Sequence, residues 1–557
     1  MVFNATQREI GEWAAPQAAG VVKPLGSAPQ RASTLDLTPY ETPLDFQHAA
    51  HLLRRTMFGP TFAEIQAAVG TTAAAAIDKL LSATVLPSPP VDYNQNDAMF
   101  NQVWVQQPYD KNQETSWRLS LKAWWLGLMI SQGVSLREKM ALFWHNHFSC
   151  ATETVGDACY MYAYNNLLRQ YALGNFKTLV KQITINPAML RYLNGNTNTK
   201  ASPNENYGRE LQELFTIGKG PEIAPGDYTN YTEDDVKAAA RVLTGWRDNR
   251  AQITSYFDAT RHDTGDKQFS AHYQNQIING RTGAEGANET DDLITMIFNQ
   301  NETARYICRK LYRWFVYSSI DDSIEQNIIA PLAGTLKANS FEIAPVLKQL
   351  LTSQHFFDNS DTGFMGATIK CPADFYAGVV RSLQMSLPAD TVAVYSLLNY
   401  IRNQMAANGM DILDTPDVSG WKAYYQDPDF YQLWINTSTL PQRSNFTSAV
   451  VRANGVSTST FQLVADPIAY AETMPAPSDP NELLKDFARH LFAMPLSDSQ
   501  IAYLKQVLLN DLPDYEWTNQ WNAYVSDPSN VNNRNAIRDK LLNLLRAMLR
   551  MAEYQVM

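Results

Sequence analysis

The residue types best suited to chemistry gather in three short segments of this chain, residues 143–148, 202–218 and 261–267. Together they supply imidazoles, carboxylates and a guanidinium, a mixture that can transfer protons or bind Zn, Fe or Mn. If the three segments meet, they form a polar cleft suited to metal-dependent or acid/base hydrolysis. The predicted catalytic residues are Glu210, Glu213, His262, Asp263 and Arg209, and the predicted metal ligands are His145, His147, Glu210 and His262.

Segment 202–218 is predicted to be a helix with ordinary capping signals. Ser202 is a good N-cap, Pro203 suits the first helical position, and Glu205 stands at the third position, where a capping box places its side chain. Gly218 is the expected C-terminal stop. Glu205 is therefore interpreted as a capping residue rather than as a catalyst.

The charges further along this helix have two interpretations. In the ordinary one, Arg209 pairs with Glu205, four residues earlier, on a solvated face. In the functional one, Glu210 and Glu213, one turn apart, point into a wet cleft. Arg209 would then orient a carboxylate or hold an anionic substrate, because its planar fork binds oxyanions through two hydrogen bonds.

His145 and His147 end a second predicted helix, residues 135–148, which begins with Ser135 as its cap. Residues two apart on a helix diverge by about 200°, so the two imidazoles cannot bind one ion unless the helix ends or distorts there. Glu138 shares a face with His145 and could orient its ring or share a ligand role. The alternative is that both are packed histidines, each with one hydrogen bond among neighbouring aromatic side chains.

His262 and Asp263 lie in a third segment, whose Asp, Thr and Gly residues indicate a loop. They could act as a base and its neighbour, or as two metal ligands. A turn whose polar side chains satisfy one another is the alternative. If this loop closes over Glu210 and Glu213 where their helix packs against the end of the His145 helix, imidazole and carboxylate groups meet in one pocket. A metal bound in that pocket with an open position would be catalytic and lower the pKa of bound water toward about 7, whereas a closed shell would make it structural.

Several of these segments, with others in the same order, resemble the bacterial domain-of-unknown-function 1800 family over most of the chain. The resemblance implies no activity, because the family has none assigned. It implies an operon shared with a sulfatase-like partner of the domain-of-unknown-function 1501 family and, often, a location in the cell envelope. Two departures are an insertion-like segment, residues 422–431, and the absence of an export signal. The matching segments are residues 51–59, 136–148, 187–194, 203–218, 231–236, 243–246, 262–263, 304–311, 416–421, 434–436 and 552–555.

The chain has 557 residues and a net charge of -11 at pH 7. This acidic balance, with no cluster of Lys or Arg to neutralise phosphates, argues against nucleic-acid binding. No apolar run approaches the roughly 20 residues of a membrane span, and the first residues lack the basic and apolar regions of a signal peptide. The chain as given is therefore expected in the cytoplasm, unless it is trimmed or exported with a partner.

The four cysteines fit no metal-binding spacing. Cys150 and Cys159 could form a local disulfide in an exported protein and would remain thiols in the cytosol. Cys308 and Cys371 are interpreted as packing residues.

Helical patterns dominate the chain, and the predicted fold is a mainly α, large and irregular multi-helix single body over residues 45–557, preceded by an extended N-terminal arm over residues 1–44. Strand signals are few. At most a small β-hairpin is predicted, from residues 252–257 and 268–278, and residues 447–454 are a further strand candidate. Helices are predicted at residues 48–57, 61–69, 73–81, 115–132, 233–244, 291–299, 302–316, 341–352, 373–385, 391–408, 481–493 and 533–551.

Two functions remain for such a chain. One is a hydrolase that uses the predicted cleft, and the other is a non-catalytic accessory or binding protein that works with the sulfatase-like partner.

Residues 417–436 are unusually aromatic and either line a cleft for a sugar-like or aromatic ligand or pin a long loop to the body. No haem attachment, P-loop, dinucleotide or serine-hydrolase elbow motif is present.

Overall fold

Helices dominate the computed structural model, which describes residues 35–82, 85–360 and 363–557, and the predicted mainly α class is confirmed. The first half of the chain contains α1 (Phe46–Thr56), α2 (Phe62–Ala68), α3 (Ala73–Leu81), α4 (Glu114–Ser131), α5 (Arg137–His147), α6 (Thr152–Val155), α7 (Ala158–Gln170), α8 (Phe176–Thr184), α9 (Pro187–Tyr192), α10 (Glu205–Glu213), α11 (Glu233–Val242) and α12 (Glu289–Phe298). The second half contains α13 (Asn301–Phe315), α14 (Asp322–Ile324), α15 (Ala330–Ala338), α16 (Ile343–Leu351), α17 (Pro372–Ser382), α18 (Thr391–Ala407), α19 (Thr439–Val450), α20 (Pro467–Glu472), α21 (Pro480–Leu491), α22 (Asp498–Leu509), α23 (Asp514–Ser526) and α24 (Val531–Arg550).

Sheet in the described residues is limited to four two-stranded antiparallel hairpins. The predicted pairing of residues 252–257 with 268–278 is wrong, because the first segment pairs with the strand before it and the second folds back on itself. Backbone in the left-handed region, at Ile253 in one turn and at Gln274 and Asn275 in the other, lets the chain reverse at once. The pairs are β1 (Glu222–Ala224) with β2 (Asp227–Tyr228), β3 (Trp246–Asn249) with β4 (Thr254–Phe257), β5 (Lys267–Gln268) with β6 (Ile277–Ile278), and β7 (Val456–Ser457) with β8 (Gln462–Leu463).

The helices predicted outside the candidate site are all found, with ends that differ by no more than three residues. Thr232, for example, caps α11 through a capping box with Asp235. The helices that were not predicted are α6, α7, α8, α9, α14, α15, α19, α20, α22 and α23. Of these, α19 occupies part of the strand candidate 447–454. In α7 the buried polar side chains of Asn165 and Arg169 interrupt the apolar periodicity. The sequence therefore lacks the continuous apolar stripe that would have predicted this helix.

One contiguous cluster of buried apolar side chains runs through the body, from Leu44 to Tyr554. Helix α10 packs closely on α11, and Gly208 permits that approach, since a Cβ at this position would lie 3.2 Å from Val236 O and 3.1 Å from Ala240 N. Among the described residues, no helix is both long enough and apolar enough to cross a membrane.

The predicted arm lies mostly in residues 1–34, which are outside the described residues. Its last part, residues 35–44, lies against the body, where the Tyr40 backbone N–H donates to Thr352 O at 2.7 Å. Asp45 then caps α1 with its side chain. The first described helix thus begins directly after the predicted arm.

Candidate functional site

Helix α10, which carries the densest group of predicted site residues, begins later and ends earlier than predicted. Its N-cap is Asn204, whose side chain accepts a hydrogen bond from a backbone N–H of the first turn at 2.9 Å. The predicted cap at Ser202 is wrong, because the Ser202 N–H closes a turn onto Thr199 O at 3.0 Å. The helix stops at Glu213, and Gly218, with φ of +76°, ends the irregular turn that follows.

Arg209 belongs to an ion-pair network on the outer side of α10. Each of its two terminal nitrogens lies 2.6 Å from a carboxylate oxygen of Glu233, and Nη2 lies 3.3 Å from Glu205. The Glu205–Arg209 pair is present as predicted, and the capping box at Glu205 is wrong because the helix begins at that residue. Pairing raises the pKa of Arg209 and lowers that of Glu233 to about 2. A protein carboxylate therefore occupies the fork of Arg209.

The Glu213 carboxylate also has protein partners, whereas the Glu210 carboxylate has none among the described residues. Tyr231 donates from its hydroxyl to Oε2 of Glu213 at 2.9 Å, and Lys219 Nζ lies 3.9 Å from Oε1. The Glu210 side chain is half-buried and has no hydrogen-bond or ion-pair partner among the described residues. Burial, together with the neighbouring charge of Glu213, raises the pKa of Glu210 to about 7 despite the opposing effect of Arg209.

Two tyrosines that the sequence did not indicate lie within electrostatic range of Glu210. Burial raises the pKa of Tyr192, at the end of α9, to about 12, and the charge of Glu210 adds to that shift. Burial likewise raises the pKa of Tyr306 in α13, where Glu210 also contributes, and its hydroxyl donates to Leu214 O at 3.0 Å. Both hydroxyls stay protonated near neutral pH. The only sequence signal was their place in segments 187–194 and 304–311 of the family pattern.

Lys310 covers the C-terminal end of α10, one turn of α13 beyond Tyr306. Its Nζ lies 3.3 Å from Leu214 O, a favourable place for a cation because helix carbonyls concentrate negative charge there. Burial, and then the nearby Arg313, lowers the pKa of Lys310 to about 7. Two side chains whose protonation changes near neutral pH, Glu210 and Lys310, thus lie near the same end of one helix.

His145 is a fully buried structural histidine. Its Nε2 accepts a hydrogen bond from the Leu413 N–H at 3.0 Å, so the ring proton lies on Nδ1, which is 3.2 Å from the Tyr164 hydroxyl. That hydroxyl in turn donates to Phe148 O at 2.7 Å. Burial lowers the pKa of His145 to about 3, so the ring is neutral. Neither nitrogen has a lone pair left for a metal.

His147, at the last residue of α5, links this helix to the segment after α10. Its Nε2–H donates to Phe215 O at 3.0 Å, and its Nδ1 is buried with no partner among the described residues. Burial, with the charge of Lys310, holds its pKa well below the ordinary value. His145 and His147 therefore face different partners, in agreement with their divergence on the helix.

The interpretation that Glu138 orients His145 is wrong. Arg169 in α7 donates to the two Glu138 oxygens at 2.7 and 2.9 Å, and Trp125 Nε1 donates to one of them at 2.9 Å. A charged fork satisfies a buried carboxylate better than a neutral imidazole does. Glu138 is therefore half of a buried ion pair that joins α5 to α7.

His262 belongs to a separate buried network at the start of α12. Its Nδ1–H donates to Thr244 O at 2.9 Å, and its Nε2 lies 3.0 Å from Oε1 of Glu289. Lys267 Nζ lies 2.5 Å from the other Glu289 oxygen, and the side chains of Lys267 and Glu289 are both 0% exposed. This network fastens the loop to α12.

Asp263 faces the opposite way and pairs with Arg241 in α11, with contacts of 2.7 and 3.1 Å. It also accepts the Gly265 N–H at 2.9 Å, so the loop is partly a self-satisfied turn, as the alternative interpretation held. The hydrogen bonds and ion pairs of His262 and Asp263 include no contact with Glu210. The predicted closure of this loop over Glu210 finds no support in these contacts.

The predicted metal ligands are divided among different surroundings. Within the described chain, no three His, Cys, Asp or Glu side chains are grouped so that they could hold a metal ion. His145 lies beside Tyr164, His147 beside Phe215, and His262 beside Glu289. The residues present therefore do not fit a resident Zn, Fe or Mn centre built from the predicted set.

The cysteines are buried free thiols, including the pair that could have formed a disulfide. Cys150 Sγ lies 3.8 Å from Met161 Sδ, and Cys159 Sγ lies 3.6 Å from Trp104 O. Burial raises the pKa of Cys159 to about 12, so this thiol is not a nucleophile near neutral pH.

These observations define a mainly helical protein in which one half-buried carboxylate near neutral pKa stands among paired charges. The chain belongs to the family described as a protein of unknown function (DUF1800), whose model matches residues 51–556. The resemblance inferred from the sequence is thereby confirmed over nearly the whole chain. No curated protein and no solved structure matches it.

Proposed function

We propose that the protein is an acid/base hydrolase in which Glu210 carries the proton, without a resident metal. The observation that supports this proposal is the unpartnered, half-buried Glu210 carboxylate, whose pKa is raised to about 7. A general acid or base works best when its pKa lies near the working pH. Of the predicted site residues, Glu210 alone combines this pKa with a side chain free to contact a substrate.

The surroundings of Glu210 suit proton transfer. Burial favours its neutral form, so near pH 7 the group can either give up or accept a proton. The protonated hydroxyl of Tyr192 is available as a hydrogen-bond donor to a substrate oxygen, with a pKa of about 12. In this proposal Glu210 transfers the proton and Tyr192 positions the substrate, while Arg209 and Glu213 remain structural.

A second candidate function is the accessory or binding role beside a sulfatase-like partner of the domain-of-unknown-function 1501 family. It is favoured by the internal pairing of the other charged candidates, Arg209 with Glu233 and Asp263 with Arg241. Such ion pairs stabilise the fold and do not require a catalytic role for these residues. Co-purification with that partner from the native host at several salt concentrations is the corresponding test.

A substrate screen tests the hydrolase proposal. Chromogenic esters, glycosides, phosphate esters and sulfate esters would be offered to the wild type, with and without a chelator, and to Glu210→Gln. We expect the wild type to hydrolyse at least one class, with unchanged rate in chelator, and Glu210→Gln to give only background. Equal hydrolysis by both proteins, or none in any class, would favour the accessory function.

A further inference from the structure

Two adjoining cavities, neither of them lined by Glu210, lie among α1, α13, α17 and the segment before α19. The first measures about 400 Å³ when the solvent at its open mouth is included, and it is lined by Arg54 and Lys370, among others. The second encloses about 460 Å³, counted out to its open mouth, and is lined by Lys139 and Arg313, among others. Asp374 lines both, so the two cavities meet at its side chain.

The walls of these cavities are cationic, although the whole chain carries a net charge of -11 at pH 7. The Asp374 carboxylate is already bound by Lys139. The hydrogen bonds of Arg54, Lys370 and Arg313 to described residues all go to backbone carbonyl oxygens, at 2.6–3.1 Å. Carbonyl groups satisfy donors without cancelling charge, and neither Arg54 nor Arg313 has a carboxylate within ion-pair distance among the described residues. Burial lowers the pKa of Lys370 well below its ordinary value, which favours its neutral form.

Arg313 is the best-shaped donor in the second cavity. Its one hydrogen bond to a described residue uses Nε, so Nη1 and Nη2 have no protein partner there. Asp427 and Glu325 influence its charge without forming an ion pair, and burial lowers its pKa. A free planar fork matches two oxygens of a carboxylate, phosphate or sulfate group.

Neighbouring residues in the same wall carry donors that also lack partners. Trp314 Nε1 and Ser318 Oγ have none among the described residues, and their residues are only 6% and 4% exposed. The aromatic segment 417–436 completes the wall with Phe430 and Trp434. Buried donors without acceptors favour a ligand rich in acceptor oxygens.

We propose that the second cavity binds a small molecule through an oxyanion group, a carboxylate, phosphate or sulfate. The group pairs with the fork of Arg313, whose guanidinium carbon lies 5.5 Å from the centre of the Phe430 ring, and the rest of the ligand lies at the mouth of the cavity. Arg54 in the first cavity adds to the attraction, since its pKa of about 10 keeps it charged near neutral pH. The site stands apart from Glu210 and does not depend on the role proposed for that residue.

Calorimetric titration with inorganic phosphate, sulfate and acetate, at constant ionic strength set with sodium chloride, tests this site. We expect saturable binding of at least one of the three by the wild type and at least tenfold weaker binding by Arg313→Met. The matched control is Arg305→Met, on the same helix, where the side chain is already paired with Glu325 at 3.2 Å. This control should bind as the wild type does.

The proposal is overturned if none of the three anions binds saturably, or if Arg313→Met binds as tightly as the wild type. Equal weakening by Arg305→Met would also overturn it, since that result indicates a general loss of surface charge. Should Arg313→Met fail to fold, Arg313→Lys keeps the charge and removes the planar fork. Wild-type affinity in Arg313→Lys would then contradict the assignment.

Discussion

Replacing Glu210 with glutamine is expected to lower kcat/KM for the hydrolysed substrate by about 100-fold or more, the usual contribution of a general acid or base. Glutamine keeps the size and polarity of the side chain but cannot carry the proton. Because burial raises the pKa of Glu210 to about 7, kcat/KM of the wild type should change with pH near that value, which forms one limb of the pH–rate profile. Steady-state kinetics across the neutral range would show the limb in the wild type and its loss in the variant.

Glu213→Gln is the matched control for this prediction, one helical turn away. The Glu213 carboxylate is held by Tyr231, and its charge contributes to the raised pKa of Glu210. The control should therefore keep most of the activity and shift the limb of the pH–rate profile to lower pH. A comparable loss of kcat/KM in both variants, or no loss in Glu210→Gln, would remove Glu210 as the proton carrier.

Glu289→Leu is expected to lower the free energy of unfolding by about 3–5 kcal/mol, since it leaves Lys267 as an uncompensated buried charge. Both side chains are 0% exposed and their charged atoms lie 2.5 Å apart. Urea unfolding near pH 7 measures the change. Lys267→Met/Glu289→Leu should be less destabilised than Glu289→Leu alone, because the double variant no longer leaves the Lys267 ammonium group buried without its carboxylate. A double variant that is the less stable of the two would contradict this explanation.

The pH dependence of this effect follows from the sign of the Glu289 shift. Burial opposes ionisation, but hydrogen bonds from His262 and Lys267 hold the pKa of Glu289 below its ordinary value. The pairing therefore contributes fully above the pKa of an unfolded glutamate, about 4.3, and its contribution is lost as pH falls through the folded-state pKa. The stability difference between wild type and Glu289→Leu should shrink in acid.

Helix positions were predictable because they depend on signals within a few residues. The capping box of Thr232 with Asp235 and the apolar periodicity that follows it indicated α11 correctly. The start of α10 was mistaken because Ser202 and Asn204 are both good caps, and a tertiary contact decides between them. The Asn204 N–H donates to Asn198 Oδ1 at 2.9 Å, which fixes the entry of the chain into the helix.

The candidate site was only partly predictable, since the partners of its charged residues lie elsewhere in the chain. Arg209 meets Glu233, His145 meets Leu413, and His262 meets Glu289. No spacing rule reveals such partners. The sequence indicated which side chains are charged, whereas the fold determines which of them, Glu210 above all, remains unpaired.

Direct titration of Glu210 tests whether its carboxyl group changes protonation near neutral pH. Protein labelled with ¹³C at the glutamate carboxyl carbon would be followed by NMR as pH is varied, and the Glu210 signal would be identified by its absence in Glu210→Gln. We expect a titration midpoint near pH 7, because burial and the charge of Glu213 raise the pKa of Glu210 to about that value. A midpoint near that of a free glutamate, about 4.3, would contradict it.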